Sequence, residues 1–350
     1  LIVLAAGKGT RMQSDLPKVL HPIAGAPLLV HALQSGRALA PEKTVLVTGH
    51  GADQVETIAK AFDDTLLFAH QSKQRGTAHA VDQARAALED FAGDVFVLYG
   101  DTPFLSKDTL TKMREARTKC DVVVLGFTPQ DPKRYGRLVT DGDALLKIVE
   151  WKDASEAERA IPLCNSGVIA CDAQLLFELI AQIDDANTAG EYYLTDLPGR
   201  ARAAGKTASV VLCDEYETLG VDSRHDLARA EALFQAHTRR AMLDNGVTLP
   251  APDTVVFAHD TVIGRDATIE PNVVFANGVT VESGATIRAF SHLEDCHVAQ
   301  GSVVGPYARL RPGAELHENT RIGNFVEVKN ATLHAGAKVN HLSYIGDSDG

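Results

Sequence analysis

Two textures of apolar and polar positions divide the chain. From Leu1 to about Val221, short apolar runs alternate with stretches whose apolar residues recur every three or four positions. The runs LIVLAAG, TVLVTGH, TLLFAH, DVFVLYGD, DVVVLGF and SVVLCDE predict buried strands. HALQSGRALA, VETIAKAF, AHAVDQARAAL and TLTKMREART predict the helices between them. Such alternation predicts a mostly parallel sheet wrapped by helices. Ligands of these sheets lie beyond the carboxyl ends of the strands, so the residues just after each strand are where chemistry is expected.

From Arg224 to about Asn245 the pattern predicts one helix, capped at Asn245-Gly246 and left through Pro250 and Pro252. It reads as a connector between domains. Beyond Pro252 the helical period vanishes and a six-residue period begins. Large apolar residues fall at Ile263, Ile269, Phe275, Val281, Ile287 and Leu293. A five-residue step leads to Val298, and the series resumes at Val304, Leu310, Leu316, Ile322 and Val328. A second five-residue step gives Leu333, then Val339 and Ile345. Gly, Asn, Asp and Pro cluster between them, as in Asn277-Gly278 and Pro312-Gly313. This is the hexapeptide signature of a parallel β-helix. Each rung forms a flat face, three rungs close a triangular coil, and the apolar residue points inward onto its equivalent in the next coil. Chance spacing in an antiparallel β-domain is the competing reading; a register that survives two shifts favours the β-helix. The last rung starts at Ile345 and stops in mid-pattern without a polar cap, and the chain begins without Met, so both ends are expected to be trimmed.

Composition narrows the class. The 350 residues are 45% hydrophobic and 23% charged, which suits a soluble protein of two domains. A net charge of −12 excludes general nucleic-acid binding, which needs a basic face. No apolar run approaches the roughly 20 residues that span a bilayer, and the start lacks the basic n-region of a signal peptide. The five cysteines are odd in number and none has CxxC spacing, which fits a reducing cytoplasm and argues against disulfides or structural zinc.

The average charge hides a basic segment. Leu4-Ala5-Ala6-Gly7-Lys8-Gly9-Thr10-Arg11-Met12 runs on to Leu16-Pro17-Lys18. Lys8, Arg11 and Lys18 stand against the single carboxylate of Asp15, on a Gly-rich turn after a strand. Glycines let backbone N–H groups approach anionic oxygens, so the segment suits a polyphosphate. Its spacing is neither a Walker A loop nor a Rossmann GxGxxG, because Met12 stands where the last glycine would be. A solvated strand–helix turn is the plainer alternative. The segment does match the pattern LAAGxGTRMxxxxPK residue for residue, and so resembles the sugar-1-phosphate nucleotidyltransferases. With a hexapeptide β-helix behind it, the whole chain is similar to the bifunctional uridyltransferase/acetyltransferase branch of that family.

The resemblance implies a Rossmann-like α/β nucleotidyltransferase domain at 1–222, a helical linker at 223–250, and a left-handed parallel β-helix acetyltransferase domain at 251–350. The first reaction it implies is transfer of UMP from UTP to N-acetylglucosamine-1-phosphate, releasing pyrophosphate and giving UDP-N-acetylglucosamine for peptidoglycan and lipopolysaccharide. Leu4, Ala5 and Gly7 then border the nucleotide, and Arg11 and Lys18 neutralise charge during phosphoryl-group chemistry. Asp101, in Tyr99-Gly100-Asp101, is an implied Mg²⁺ ligand; its spacing alone would equally suit a cap for the helix after Pro103. The second implied ligand sits in Gly220-Val221-Asp222, where the family has Asn, so Asp222 adds a charge and bears on metal choice. Gln71, Gly76 and Thr77 read the base by resemblance, although sequence alone would leave Gln71 on the surface. Gly136, Glu150 and Asn165 hold the sugar by resemblance, with Tyr99 on the substrate side. Glu191-Tyr192-Tyr193-Leu194-Thr195-Asp196 matches another segment near the sugar.

The second implied reaction acetylates glucosamine-1-phosphate with acetyl-CoA. Arg311 in Arg309-Leu310-Arg311-Pro312-Gly313 and Lys329 bind its phosphate by resemblance. His341 is the general base and Tyr344 holds the substrate, both in Asn340-His341-Leu342-Ser343-Tyr344. The family's CoA segment would lie beyond Gly350, so a chain ending there is expected to show little acetyl transfer. The resemblance further implies a homotrimer through the β-helix and a cytoplasmic enzyme. Two alternatives stand beside it: another sugar-1-phosphate nucleotidyltransferase with a β-helix tail, and a nucleotidyltransferase-like regulatory subunit without chemistry.

Overall fold

The computed structural model describes residues 1–132 and 134–350. The chain packs as two compact units, Leu1–His21 with Pro27–Leu227, and Pro22–Ala26 with Ala228–Gly350.

The first unit is built on a nine-stranded sheet. Its spatial order is Leu67–His70, Val45–Thr48, Ile2–Ala5, Asp94–Tyr99, Cys164–Asp172, Val122–Phe127, Ala208–Leu212, Ala144–Val149 and Arg137–Asp141. The first four strands are parallel, as the βα alternation predicts. Val122–Phe127 and Ala208–Leu212 are again parallel neighbours and run the same way, so the sheet is mostly parallel with two exceptions. Cys164–Asp172 runs antiparallel to both of its neighbours, and Ala144–Val149 and Arg137–Asp141 form an antiparallel hairpin. That hairpin reverses the chain without a helical crossover, so the next long strand enters the sheet from the opposite end. Its first residues therefore lie at the edge where the parallel strands finish, with a bulge between Asn165 and Ile169.

Every residue of Val45–Thr48 and Val122–Phe127 is buried, because helices cover both faces of the sheet. Alternation splits the strands between two cores: Ile2, Leu4 and Val124 face one, and Val3, Ala5 and Leu125 the other. The helix predicted over AHAVDQARAAL is shorter than expected, Thr77–Asp82, followed by a 3-10 turn at Ala86–Leu88. The helix after Pro103 starts at Lys107 and is capped by Ser106, whose Oγ accepts from Thr109 N at 3.1 Å. Asp101 is thus free of the capping role that its spacing allowed.

In the second unit, short parallel strands run from Val262–Ile263 to Tyr344–Asp349, each paired with the strand one coil earlier. Ile263 stands beside Val281, Val281 beside Val298, Val298 beside Leu316 and Leu316 beside Leu333. The five-residue steps are absorbed without breaking the inward stack. The predicted inward residues from Ile269 to Leu333 are all buried, and Ile263, Val339 and Ile345 pack against the same core.

Each corner of the coil needs a left-handed residue. One column supplies Asp266, Gly284, Gly301, Asn319 and Gly336, and another Gly278, Asp295, Gly313, Asn330 and Asp347. These residue types adopt positive φ at little cost. The third column carries Asn272, Phe290, Tyr307, Phe325 and Leu342 at φ of 50–60°. Its rings stack, Phe290 on Tyr307 at 5.0 Å and Tyr307 on Phe325 at 5.3 Å. The helix Arg224–Asp244 is followed by Gly246 at φ 84°, as its cap signal predicts.

The sequence reading has no counterpart for Pro22–Ala26. Ala24 N donates to Glu231 Oε2 at 2.7 Å, its carbonyl accepts from His259 N at 2.8 Å, and Asn277 Nδ2 donates to the Gly25 carbonyl at 2.9 Å.

Candidate active site

The strand Ile2–Ala5 delivers the Gly-rich loop at the finishing edge of the parallel strands. Gly7, Lys8, Thr10 and Arg11 are exposed, whereas Met12 is buried and anchors the loop. Arg224 Nε donates to the Met12 carbonyl at 3.2 Å and holds the loop from behind. A Cβ on Gly9 would come within 2.5 Å of Lys18 Cβ. Glycine there makes room for the lysine stem, and its φ of 58° turns the loop.

Lys18 gathers the site's carboxylates. Its Nζ lies 2.5 Å from Asp101 Oδ2 and 2.8 Å from Asp222 Oδ1, and Arg11 Nη2 lies 2.9 Å from Asp222 Oδ2. The backbone explains the meeting: Val221 N donates to the Asp101 carbonyl at 3.0 Å, so the two acids stand on adjoining segments. Burial works against the Lys18 charge, but Asp101 and Asp222 outweigh it and hold the Lys18 pKa above its ordinary value. Burial likewise opposes the Asp222 charge, yet Lys18 and then Arg11 pull its pKa below the usual carboxylate value.

Two carboxylates that converge on one cation fit a divalent metal held partly by substrate oxygens. Among the described residues no group of three or more His, Cys, Asp or Glu side chains is arranged to hold an ion by itself. The donor set therefore suits Mg²⁺, which usually takes one or two carboxylates beside phosphate, and not a closed structural site.

Beside this cluster lies a cavity of about 240 Å³. Leu4, Ala5, Gly7, Lys18, Gln71, Gly76, Thr77, Tyr99 and Asp101 line it, so the residues picked from the first motif groups share one pocket. Gln71 is buried, contrary to the surface position that sequence alone favoured, because its backbone N continues the sheet pairing by donating to Thr48 O at 2.8 Å. A Cβ on Gly76, at φ 112°, would meet Tyr192 O at 2.5 Å. The Glu191–Asp196 segment thus closes over the base-side turn: Ala78 N donates to Tyr192 O at 2.9 Å, and Leu194 N to Thr77 Oγ1 at 3.0 Å.

The third motif group adjoins it. Asn165 N donates to the Gly136 carbonyl at 2.9 Å, and Asn165 Oδ1 accepts from Gly167 N at 3.0 Å. Glu150 Oε1 is 3.6 Å from where a Gly136 Cβ would stand. Burial raises the Glu150 pKa, opposed by the Thr195 hydroxyl that hydrogen-bonds it. Tyr99 packs against Gly167 between this group and the phosphate side. Its hydroxyl is raised well above the ordinary tyrosine value, first by burial and then by Asp101 and Glu150, so it remains a neutral donor. Arg137, adjacent to Gly136, is buried against the carbonyls of Tyr135 and Arg159 and serves the fold.

In the second unit, Arg309, Glu327 and Tyr344 stand in register on successive coils, and Lys329 stands beside Gly346. Arg311 Nη1 pairs with Glu327 Oε1 at 2.7 Å. His341 pairs in register with Asn324 on the neighbouring face and is exposed, three residues before exposed Tyr344. Arg311, Lys329 and Tyr344 therefore belong to one face over three successive coils, and His341 stands just before the Leu342 corner that leads into that face.

Sequence reasoning missed Gln74, whose Nε2 donates to the Ala6 carbonyl at 2.6 Å, and His79, which touches Gln71. It also missed Arg224, whose hold on Met12 spans 212 positions. Gln74 and His79 sit inside a motif already singled out; nothing local marks Arg224.

A family model described as the MobA-like NTP transferase domain matches residues 1–182, and one described as bacterial transferase hexapeptide (six repeats) matches residues 260–294. Over 348 residues the chain is 65% identical to the Bifunctional protein GlmU of Roseobacter denitrificans (strain ATCC 33942 / OCh 114), covering 99% of this chain and 77% of that one. The Bifunctional protein GlmU of Jannaschia sp. (strain CCS1) is 60% identical with the same coverage. That of Paracoccus denitrificans (strain Pd 1222) is 58% identical, covering 99% and 78%. Among solved structures, a nucleoside-diphosphate-sugar pyrophosphorylase from Vibrio cholerae RC9 aligns with a TM-score of 0.55 at 17% identity, covering 66% of this chain and 99% of that one. A UDP-glucose pyrophosphorylase complexed with UDP-glucose aligns with a TM-score of 0.55 at 18% identity, covering 67% and 98%. These two share the fold of the first unit.

Proposed function

The chain belongs to the family of the bifunctional GlmU proteins, and from that premise we propose that the first unit carries one transferase activity and that the second supplies the sugar-phosphate side of another. The first transfers UMP from UTP to N-acetylglucosamine-1-phosphate and releases pyrophosphate. The observation that carries this is the convergence of Lys18 and Arg11 on Asp101 and Asp222, at the mouth of the pocket that Gln71 lines.

The sugar phosphate oxygen is already anionic, so it attacks the α-phosphorus in line without a general base, and pyrophosphate leaves. Lys18 and Arg11 neutralise the charge that builds on the α-phosphate and the leaving group. Asp101 and Asp222 hold Mg²⁺, which when bound supplies further neutralisation of the triphosphate. Gln71 and Gly76 orient the base. Glu150, Asn165 and Gly136 orient the sugar, and neutral Tyr99 separates the two subsites.

The second activity is acetylation of the amine of glucosamine-1-phosphate with acetyl-CoA, and the residues of this unit serve its sugar-phosphate side. Arg311 and Lys329 bind the phosphate, Tyr344 holds the sugar, and His341 takes the proton from the amine as the acyl group arrives. The product feeds the first reaction, and UDP-N-acetylglucosamine then serves cell-wall and lipopolysaccharide synthesis. The enzyme acts as a homotrimer through the β-helix, in the cytoplasm; among the described residues no helix is long and apolar enough to cross a membrane.

The test is pyrophosphate release from UTP and N-acetylglucosamine-1-phosphate, with and without Mg²⁺, with UDP-N-acetylglucosamine identified by mass. Turnover with UTP that exceeds GTP, ATP and dTTP is expected. Absence of turnover, or equal use of the four nucleotides, would overturn the reading.

A further inference from the structure

The base-side wall of the pocket holds an arrangement that the reaction above does not require. Gln71 is 4% exposed, and its amide nitrogen lies 3.2 Å from the Gly76 carbonyl oxygen and 2.9 Å from His79 Nδ1. A carbonyl oxygen only accepts, so the amide must turn its nitrogen toward it. That choice commits the second N–H of the same amide to His79. Nδ1 of His79 then carries the lone pair, and the ring proton sits on Nε2. Both amide hydrogens are spent inside the protein. Gln71 Oε1 is left as an acceptor on the pocket wall, and among the described residues no protein donor reaches it. His79 is held in turn by its helix, where Gln83 Nε2 donates to the His79 carbonyl at 2.9 Å. The same nitrogen stands 3.4 Å from His79 Nε2, a contact that is no hydrogen bond once that ring atom carries the proton, and the shorter 2.9 Å approach of Gln71 to Nδ1 decides the tautomer.

We propose that His79 is a positioning residue for base selection: by accepting from Gln71 it locks the amide so that only Oε1 meets the base. The pocket then takes a base offering a ring N–H at that point, as uracil does, and disfavours one offering a lone pair there, as cytosine does. This rests on the uridylyl reading above. A Gln71 free to turn over would serve both bases, because its amide presents an acceptor on one side and a donor on the other. Protonation of His79 would set two donors face to face. Turning the amide over would then place its oxygen against the Gly76 carbonyl, so neither orientation is satisfied. The charged groups that face His79 are Arg75 and Asp82. Burial, and then Arg75, holds its pKa below the ordinary histidine value against the pull of Asp82.

The experiment compares kcat/KM for UTP and CTP from pH 5 to 8 in the full chain, in His79→Phe and in His79→Asn. Phe removes the acceptor; Asn offers Oδ1 in place of Nδ1 and cannot be protonated. In His79→Phe the UTP/CTP ratio is expected to fall about 10- to 100-fold at every pH, the effect of one unpaired buried amide hydrogen. In His79→Asn the ratio is expected to stay high and to lose the acid-side fall of the unmodified protein. A role in folding alone would lower both nucleotides together. An unchanged ratio in His79→Phe overturns the proposal. So do ¹⁵N shifts showing the His79 ring proton on Nδ1 in the unmodified protein. Failure of the uridylyl reading looks different: the unmodified protein would release no pyrophosphate from UTP, while the ring tautomer would still decide whether His79 accepts from Gln71.

Discussion

Lys18→Met keeps the length of the stem and removes the charge that Asp101 and Asp222 share. Two effects follow, with separable sizes. Loss of one preorganised positive donor at the reacting phosphates is expected to lower kcat about 10²–10³-fold. Loss of the same charge leaves two carboxylates facing each other. Breaking a fully buried pair costs about 3–5 kcal/mol. Here the Asp101 and Asp222 side chains keep 21% and 36% of their exposure, and Arg11 still pairs with Asp222. Screening by water therefore brings the destabilisation down to about 1–2 kcal/mol. The pH dependence has a definite sign. The folded pKa of Lys18 is raised above 10.5, so its contribution is whole below that value and is lost only in strong base. The folded pKa of Asp222 is depressed below 3.8, so its contribution is present above that value and is lost as pH falls through the folded pKa. The stability gap between parent and variant should be flat from about pH 5 to 9 and close on the acid side. Urea melts along a pH series and pyrophosphate release at saturating Mg²⁺ measure the two effects. A rate within tenfold of the parent, or a gap that widens on acidification, would refute the reasoning.

Three further substitutions probe other parts. Glu150→Gln should raise the KM for the sugar phosphate by about tenfold or more, the worth of a hydrogen bond to a charged group, and leave the KM for UTP unmoved. Because burial raises the folded pKa of Glu150, its ionised form weakens the fold above that pKa, so the variant should melt at or above the parent at pH 7 and lose that gain below pH 4.5; an unchanged sugar KM would count against the assignment. Gly76→Ala forces a φ of 112° on alanine with its Cβ 2.5 Å from Tyr192 O, and should cost about 1–3 kcal/mol and weaken UTP before sugar phosphate; a parent-like melt with parent-like UTP binding refutes it. Leu342→Asn places a residue suited to positive φ at an exposed corner, and calorimetry should show a gain of about 0.5–1 kcal/mol, less than the about 1–2 kcal/mol strain it relieves; a loss would mean the leucine packs on something.

Much of this was legible because it is local or periodic. The β-helix declares itself by spacing alone, and each apolar position from Ile269 to Leu333 needs only its own rung to be placed inward. The loop from Gly7 to Lys18 is one contiguous motif, and Asp101 comes two residues after the end of its strand at Tyr99. What stayed hidden depends on pairs distant in sequence. Cys164–Asp172 is as apolar as a parallel strand would be, and its direction is set by the hairpin before it, which its own residues do not reveal. Gln71 looks solvent-facing by residue type, and only the edge of the sheet and His79 bury it. The burial of Arg137 is equally invisible in Tyr135-Gly136-Arg137, since its partners are backbone carbonyls.

The short turn Pro22–Ala26 bears on how such proteins are cut and recombined. Its polar groups are met by Glu231, His259 and Asn277, all more than two hundred positions downstream. A gene divided once after Leu227 would leave Ala24 without both backbone partners and Gly25 without its amide donor. A chimaera that exchanges one relative's solenoid for another's must carry the matching turn along with it. The heritable module is therefore discontinuous: a five-residue splice near the start of the chain travels with everything from Ala228 onward.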